Sequence, residues 1–140
     1  MIPLRLVLDT NVIVSAALKP ESVPRTVLLL AATKPARLYL SKEILSEYRS
    51  VLARPELRIR KGLREQLLQL ITKRASLIRV HARLSVATDP GDDKFVECAD
   101  ASRADYLVTG NLKHFPRFWK KTKVITPAEF ISIVAPHFVQ

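Results

Sequence analysis

The chain has 140 residues, of which 48% are hydrophobic, enough to bury a core in one domain spanning residues 1–140 without disulfides or a structural metal. A single cysteine excludes a disulfide framework and a cysteine-based zinc site. The longest uninterrupted apolar stretch, residues 27–32, is too short to span a membrane. We therefore expect a cytoplasmic protein. The formal charge of +10 favours a polyanionic partner, above all nucleic acid, although an acidic protein or a membrane surface would also fit the charge.

The first half of the chain alternates strands and helices. The apolar run at residues 4–8 predicts a parallel strand buried on both faces. It is followed by a predicted helix at residues 12–18, a helix at 24–32, a strand at 37–40, a helix at 42–53 with Ser41 as its N-cap, a long basic amphipathic helix at 57–75 and a strand at 77–80.

The second half continues this alternation. A loop at residues 86–93 leads into a helix at 93–103, a strand at 106–109, a basic aromatic stretch at 115–123, a strand at 124–125 and a closing helix from 126 to about 135. Five short strands separated by helices predict an α/β fold. In this fold a five-stranded parallel sheet with right-handed crossovers lies inside a three-layer α/β/α sandwich.

Polar side chains stand where these predicted strands end. Asp9 ends the first strand, Glu47 lies in the helix after the second, Asp93 opens the helix before the fourth, and Asn111 follows the fourth. A carboxylate between two apolar segments is costly to bury without a partner, and ligands of open α/β sheets bind at the carboxyl ends of strands. We therefore expect these four residues to converge at one edge of the sheet.

Such a set suits metal-assisted hydrolysis of a phosphodiester. Divalent metals activate water and stabilise charge on phosphate, and Mg²⁺ and Mn²⁺ prefer carboxylate and amide oxygens. No other catalytic arrangement competes well. The sequence has no G-x-S-x-G motif and no glycine-rich phosphate loop. His81, His114 and His137 lack metal-ligand spacing and are expected at the surface. A basic chain with a few acidic residues at strand ends predicts a metal-dependent nuclease.

Ordinary structural roles compete for the same acidic residues. Glu47 lies on the border of its helix's apolar stripe, where a carboxylate can face inward or be solvated. Helix capping explains Asp92 but leaves Asp93 unexplained. Asp93, Glu97 and Asp100 share one helical face, which is either a cation site, with Glu97 in an outer role, or a solvated acidic face.

Four segments in this order resemble the PIN domain family. They are Asp9-Thr10-Asn11 after the first strand, the helix start at residues 41–48 (SKEILSEY), Asp92-Asp93-Lys94-Phe95, and residues 104–111 (ADYLVTGN). The resemblance spans residues 4 to about 130 and is closest to relatives of the VapC ribonucleases, the toxins of toxin–antitoxin pairs. It implies the strand order 3-2-1-4-5, single-stranded RNA as substrate, Mg²⁺ or Mn²⁺ as cofactor, an antitoxin as protein partner and a homodimer.

The resemblance also implies roles for individual residues. Asp9, Glu47 and Asp93 match the family's metal-binding acids, and the metal activates water for in-line attack on phosphorus. Thr10 and Asn11 complete the first motif and orient Asp9 or contact the substrate. The family's fourth acid is here Asn111, which offers an oxygen or a hydrogen bond but no charge.

The basic stretch after Asn111 is a candidate path for RNA. Lys113, Arg117, Lys120 and Lys121 are expected to follow the phosphate backbone. The aromatic side chains among them, Phe115, Phe118 and Trp119, either stack a base or pack the core.

Two further functions remain open from the residues. The first is a catalytically weak PIN domain that binds RNA or protein as an adapter, for which Asn111 is the main argument. The second is a phosphatase with Asp9 as nucleophile, resembling the haloacid-dehalogenase-like enzymes, but the second aspartate expected two residues later is Asn11.

Overall fold

The structure, a computed structural model, describes residues 3–135 of the chain. Within these residues, helices pack against a central sheet of six strands. The strands are β1 Arg5–Leu8, β2 Arg37–Leu40, β3 Ser76–Leu77, β4 Tyr106–Val108, β5 Phe118–Trp119 and β6 Thr122–Ile125. The helices are α1 Thr10–Leu18, α2 Val23–Ala31, α3 Lys42–Leu52, α4 Lys61–Arg74, α5 Asp93–Ser102 and α6 Pro127–Val134. His137 lies outside the described residues.

The predicted fold class is confirmed. The strands are ordered β3-β2-β1-β4-β6-β5, and the first five of these pair in parallel, so β6 takes the place of the predicted fifth strand. The difference is β5, an antiparallel edge strand within the basic aromatic stretch, for which no strand was predicted. Lys120 joins β5 to β6 with a left-handed φ of 52°, a conformation that an apolar pattern does not reveal.

Two element boundaries differ from the prediction for local reasons. The long basic helix starts at Lys61 rather than at residue 57, because Pro55–Leu57 forms a short 3-10 turn and Arg58 then adopts a left-handed φ of 54°. The third strand is only Ser76–Leu77, both exposed, rather than residues 77–80.

The core lies on both faces of the central strands. Leu6, Val7 and Leu8 of β1 are completely buried, as expected for a parallel strand covered by helices on each side. The apolar stripes of α2 and α4 supply Val27, Leu28, Leu67 and Ile71 to the core, whereas Leu29 and Leu30 of α2 are exposed. Cys98 of α5 is also buried.

The carboxyl ends of β1 and β4 are held together by backbone hydrogen bonds. The Asp9 amide donates to the Val108 carbonyl (2.9 Å), and the Thr109 amide donates to the Ile125 carbonyl (2.9 Å). From α3, the fully buried Tyr48 donates its hydroxyl to the carbonyl of Leu8, the last residue of β1. These contacts fix the edge of the sheet from which Asp9 projects.

In the part of the chain that the structure describes, no helix has the length and apolar character needed to cross a membrane.

Replacing Tyr48 by phenylalanine tests how strongly this edge is fixed. Tyr48→Phe removes the donor to the buried Leu8 carbonyl and should lower the free energy of unfolding by about 1–3 kcal/mol. Urea denaturation measures the change. The matched control is Tyr39→Phe, since the Tyr39 hydroxyl has no hydrogen-bond partner within residues 3–135; equal losses in both variants would contradict the assignment.

Candidate active site

An open cleft of about 440 Å³ lies at the carboxyl ends of the central strands. Polar and charged side chains dominate its lining: Asp9, Thr10, Asn11, Glu47, Asp92, Asn111, Arg54 and His114. They come from the start of α1, from α3 and the segment after it, and from two 3-10 turns at Pro90–Asp92 and Leu112–His114. The cleft therefore joins four separate parts of the chain.

Asp9 lies at the base of this cleft. It occupies the N-cap position of α1, but its side chain does not cap the helix; its Oδ2 instead accepts a hydrogen bond from the Thr109 hydroxyl (2.8 Å). The residue is only 6% exposed. Burial is the main cause that raises the pKa of Asp9 to about 6, and the negative charges of Asp92 and Glu47 raise it further against the Thr109 hydrogen bond.

Glu47 faces the same cleft from the middle of α3. Its Oε2 accepts a hydrogen bond from the Thr10 hydroxyl, and its Oε1 lies 2.6 Å from the Lys94 ammonium. A glutamate at the border of the apolar stripe of α3 can face inward or be solvated, and Glu47 faces inward. Thr10 and Lys94 hold the carboxylate there.

The structure brings Asp92, and not Asp93, into the cleft. Asp92 ends the 3-10 turn Pro90–Asp92, and burial is the main cause that raises its pKa, with Asp89 and Glu47 adding to the effect and His114 opposing it. Asp93 is the first residue of α5, and successive residues of a helix point about 100° apart. Only one of the two neighbours can therefore face the cleft.

Asp93 and Glu97 fix an adjacent loop instead. One oxygen of Asp93 accepts hydrogen bonds from the backbone amides of Val86 (3.0 Å) and Ala87 (2.8 Å), and Glu97 accepts one from the amide of Leu84 (2.9 Å). Both carboxylates are 7% exposed. The acidic face of α5 is thus neither a cation site nor a solvated face at these two positions. It anchors the segment that leads to Asp92.

Asn111 lies beside His114, which was expected at the surface. The Asn111 Nδ2 is 3.0 Å from the His114 Nε2, and the His114 Nδ1 is 3.3 Å from the Asp92 Oδ2. The imidazole therefore bridges the position of the missing fourth acid and the third carboxylate. The only sequence signal was its place three residues after Asn111 in a short turn.

Sequence reasoning also missed Arg54, which lines the cleft just beyond the end of α3. Glu47, Val51 and Arg54 are spaced by four and three residues, so they follow one face of the helix, and this spacing was a usable signal. Arg54 is exposed and forms no ion pair within residues 3–135.

Thr10 and Asn11 lie in the cleft, whereas the four predicted basic contacts do not line it. The Asn11 side chain accepts a hydrogen bond from the Gly110 amide (3.0 Å). Arg117 pairs with Glu129, Lys120 with Asp100 and Lys121 with Asp105, and Lys113 is exposed outside the cleft. Because β6 runs parallel to β4, the chain must return to the opposite end of the sheet before β6 begins, and this takes Lys120 and Lys121 away.

The aromatic side chains of that stretch do not form a base platform at the cleft. Phe115 is buried edge-to-face against Phe95, with ring centroids 6.4 Å apart. The Trp119 indole donates to Asp100 (3.1 Å), and Phe118 is 57% exposed without lining the cleft. Phe115 therefore has the core role that was the alternative.

The donors of the cleft fit a hard divalent cation. They are carboxylate, hydroxyl and amide oxygens, and two of the carboxylates have raised pKa values because they are buried beside like charges. No group of three His, Cys, Asp or Glu side chains between residues 3 and 135 forms a ready-made cage for a metal ion. Mg²⁺ usually binds through one or two carboxylates and keeps several waters, so this sparse donor set suits it.

Comparisons with known proteins agree with this fold. A family model described as "PIN domain" matches residues 5–113. An uncharacterized protein of Methanocaldococcus jannaschii, MJ1680, is 31% identical over 143 residues, covering 94% of this chain and 92% of the relative. A structural match is to one chain of the crystal structure of VapBC2 from Rickettsia felis, which is bound to a DNA fragment from its promoter. The two chains align with a TM-score of 0.60 and 20% identity, and the alignment covers 88% of the present chain and 98% of the VapBC2 chain.

Neutralising Asp9 should stabilise the metal-free protein at neutral pH. The folded-state pKa is about 6 against an ordinary 3.8, so the folded state holds a proton that the unfolded chain has lost, and stability falls as pH rises between these values. Asp9→Asn removes this loss. Urea unfolding in EDTA should show the variant more stable by up to about 3 kcal/mol at pH 7.5, with the difference vanishing near pH 4. A variant that is less stable at pH 7.5 would contradict the burial of a charged carboxylate.

The two neighbouring aspartates should differ in their effect on stability. Asp93→Ala leaves the Val86 and Ala87 amides without their acceptor and should lower the free energy of unfolding by about 2–4 kcal/mol. Asp92→Ala removes a carboxylate that repels its neighbours and should change stability by less than about 1 kcal/mol. Urea denaturation of both variants checks the ranking, and the opposite ranking would show that the two roles are exchanged.

Proposed function

The chain belongs to the PIN domain family, and on that premise we propose that it is a metal-dependent endoribonuclease that cleaves single-stranded RNA. The observation that carries the proposal is the convergence of three carboxylates, Asp9, Glu47 and Asp92, on one cleft at the carboxyl edge of the sheet. The raised pKa values of Asp9 and Asp92 support it, because buried like charges are stabilised when a cation lies among them.

In this proposal Asp9 and Asp92 hold Mg²⁺ or Mn²⁺, and Glu47 borders the site. Asp92 replaces Asp93 in the set carried over from the family, since Asp92 lines the cleft whereas Asp93 does not and accepts hydrogen bonds from two backbone amides at its Oδ1. When bound, the metal ion supplies Lewis-acid stabilisation of charge on the phosphate and a water of lowered pKa as nucleophile.

The remaining residues of the cleft orient these groups and the substrate. Thr109 fixes the Asp9 carboxylate, and Thr10 fixes that of Glu47. Asn11 holds the backbone at Gly110, next to Asn111, whose amide can donate a hydrogen bond to a phosphate oxygen. Arg54 presents an exposed guanidinium at the cleft that suits a phosphate of the RNA backbone.

The protein partner in this proposal is an antitoxin. The alignment with a chain of VapBC2 supports such a partner. Exposed apolar side chains also occur on two helices that pack together, α2 and α6: Leu29, Leu30, Ile133 and Val134. A homodimer through these helices is the alternative arrangement that size-exclusion chromatography with light scattering would reveal.

Cleavage of a labelled single-stranded RNA by the purified protein tests the function. With Mn²⁺ or Mg²⁺ the RNA should be cut, and EDTA should stop the reaction. Asp9→Asn and Asp92→Asn should each lower the rate by more than about 100-fold, because even outer partners of metal ligands contribute 10–100-fold. Gel analysis of the products measures the rates.

The matched control is Asp100→Asn, which removes a carboxylate of α5 that pairs with Lys120 outside the cleft. Its rate should equal that of the wild type. A wild-type protein that does not cut RNA but binds it with a steep salt dependence would contradict the nuclease and favour the adapter.

A further inference from the structure

Lys94 places a positive charge directly on the carboxylate cluster. Its ammonium lies 2.6 Å from the Glu47 Oε1 and 2.6 Å from the Gly91 carbonyl oxygen. The side chains of Lys94 and Glu47 are 23% and 27% exposed, so this ion pair is largely shielded from water. Shielded, short ion pairs are worth more than surface ones and persist at moderate ionic strength.

The pair also connects two elements that carry the cleft. Lys94 is the second residue of α5, Glu47 belongs to α3, and Gly91 lies in the turn that presents Asp92. One ammonium therefore ties the carboxylate of Glu47 to the backbone beside the carboxylate of Asp92. Lys94 acts as a positioning residue for both.

The charges of the cleft then match a single divalent cation. Of the three carboxylates, the Glu47 charge is balanced by Lys94, and the fourth position is the neutral Asn111. The Arg54 guanidinium also lines the cleft, but it is exposed to solvent and is assigned above to a phosphate of the RNA, so it does not balance a carboxylate. Asp9 and Asp92 remain: both line the cleft, and neither pairs with a lysine or an arginine within residues 3–135. Two unbalanced carboxylates need one doubly charged ion, and a second ion would lie beside the fixed ammonium.

We propose that Lys94 takes the place of a second metal ion, so that the cleft binds one divalent cation between Asp9 and Asp92 while Glu47 stays paired with Lys94. This inference rests on the metal dependence of the proposed function. It assigns to the chain's own ammonium the neutralising charge that a second ion would otherwise provide.

Counting bound Mn²⁺ ions tests the proposal without reference to cleavage. Equilibrium dialysis, with free Mn²⁺ measured by electron paramagnetic resonance, should give one ion per chain for the wild type and none for Asp9→Asn. Lys94→Met keeps the aliphatic stem but removes the charge, and should bind two ions. Lys94→Arg should return the count to one. The matched control is Lys61→Met, which breaks an exposed pair with Glu65 outside the cleft and should leave the count at one.

A double variant keeps the test decisive if Lys94→Met does not fold. The Glu47–Lys94 ion pair has no net charge, and the uncharged side chains of Glu47→Gln and Lys94→Met keep that net charge at zero. The double variant should therefore bind one ion, with an affinity within about threefold of the wild type. Two ions on the wild type, one ion on folded Lys94→Met, or loss of binding in the double variant would each overturn the proposal.

Failure of the inference differs from failure of the proposed function. Two ions per wild-type chain together with RNA cleavage would remove only the role of Lys94. No Mn²⁺ binding to the wild type would remove both.

Discussion

The burial of the Asp9 carboxylate at the end of β1 is the constraint on which the site depends. β1 is paired on both sides, by β2 and β4, and α1 starts at the next residue, so the chain cannot turn this side chain towards solvent without breaking the sheet edge. The Thr109 hydroxyl donates a hydrogen bond to one oxygen of the carboxylate, but the pKa of Asp9 remains raised. Burial makes the charged form of this carboxylate costly, and a positive group in the cleft would lower that cost, which is the premise of the proposed metal site.

The acidic residues at the start of α5 have different roles because successive side chains of a helix point in different directions. Asp92 reaches the cleft, whereas Asp93 and Glu97 accept hydrogen bonds from residues 84–87 and hold the loop that leads into the turn carrying Asp92. Asp93 and Glu97 thus have a structural role, and this role supports that of Asp92, because the position of the turn carrying Asp92 depends on that loop. Two adjacent aspartates of one motif therefore combine a candidate ligand with its support.

The net charge of the chain is a poor guide to the charge at the cleft. Arg117, Lys120 and Lys121 form ion pairs outside it. Among the lysines and arginines of residues 3–135 only Arg54 lines the cleft, and Lys94 pairs with Glu47, one of its carboxylates. The total of +10 describes how the molecule as a whole attracts a polyanion. The local balance of carboxylates, ammonium and amide sets what the cleft can bind at close range.

The sequence by itself determined the class of fold and most of the elements, although not β5, because apolar runs of strand length, separated by amphipathic helices, are buried in a parallel sheet covered on both faces. It also placed Asp9, Glu47 and Asn111 near one edge, since the carboxyl ends of parallel strands meet there. The tertiary structure decided which aspartate faces the cleft, that His114, Arg54 and Lys94 belong around it, and that Lys120 and Lys121 do not. Those outcomes depend on the rotation of one helix residue past the next and on contacts such as Glu47 with Lys94, whose partners are far apart in the chain, and no local pattern encodes them.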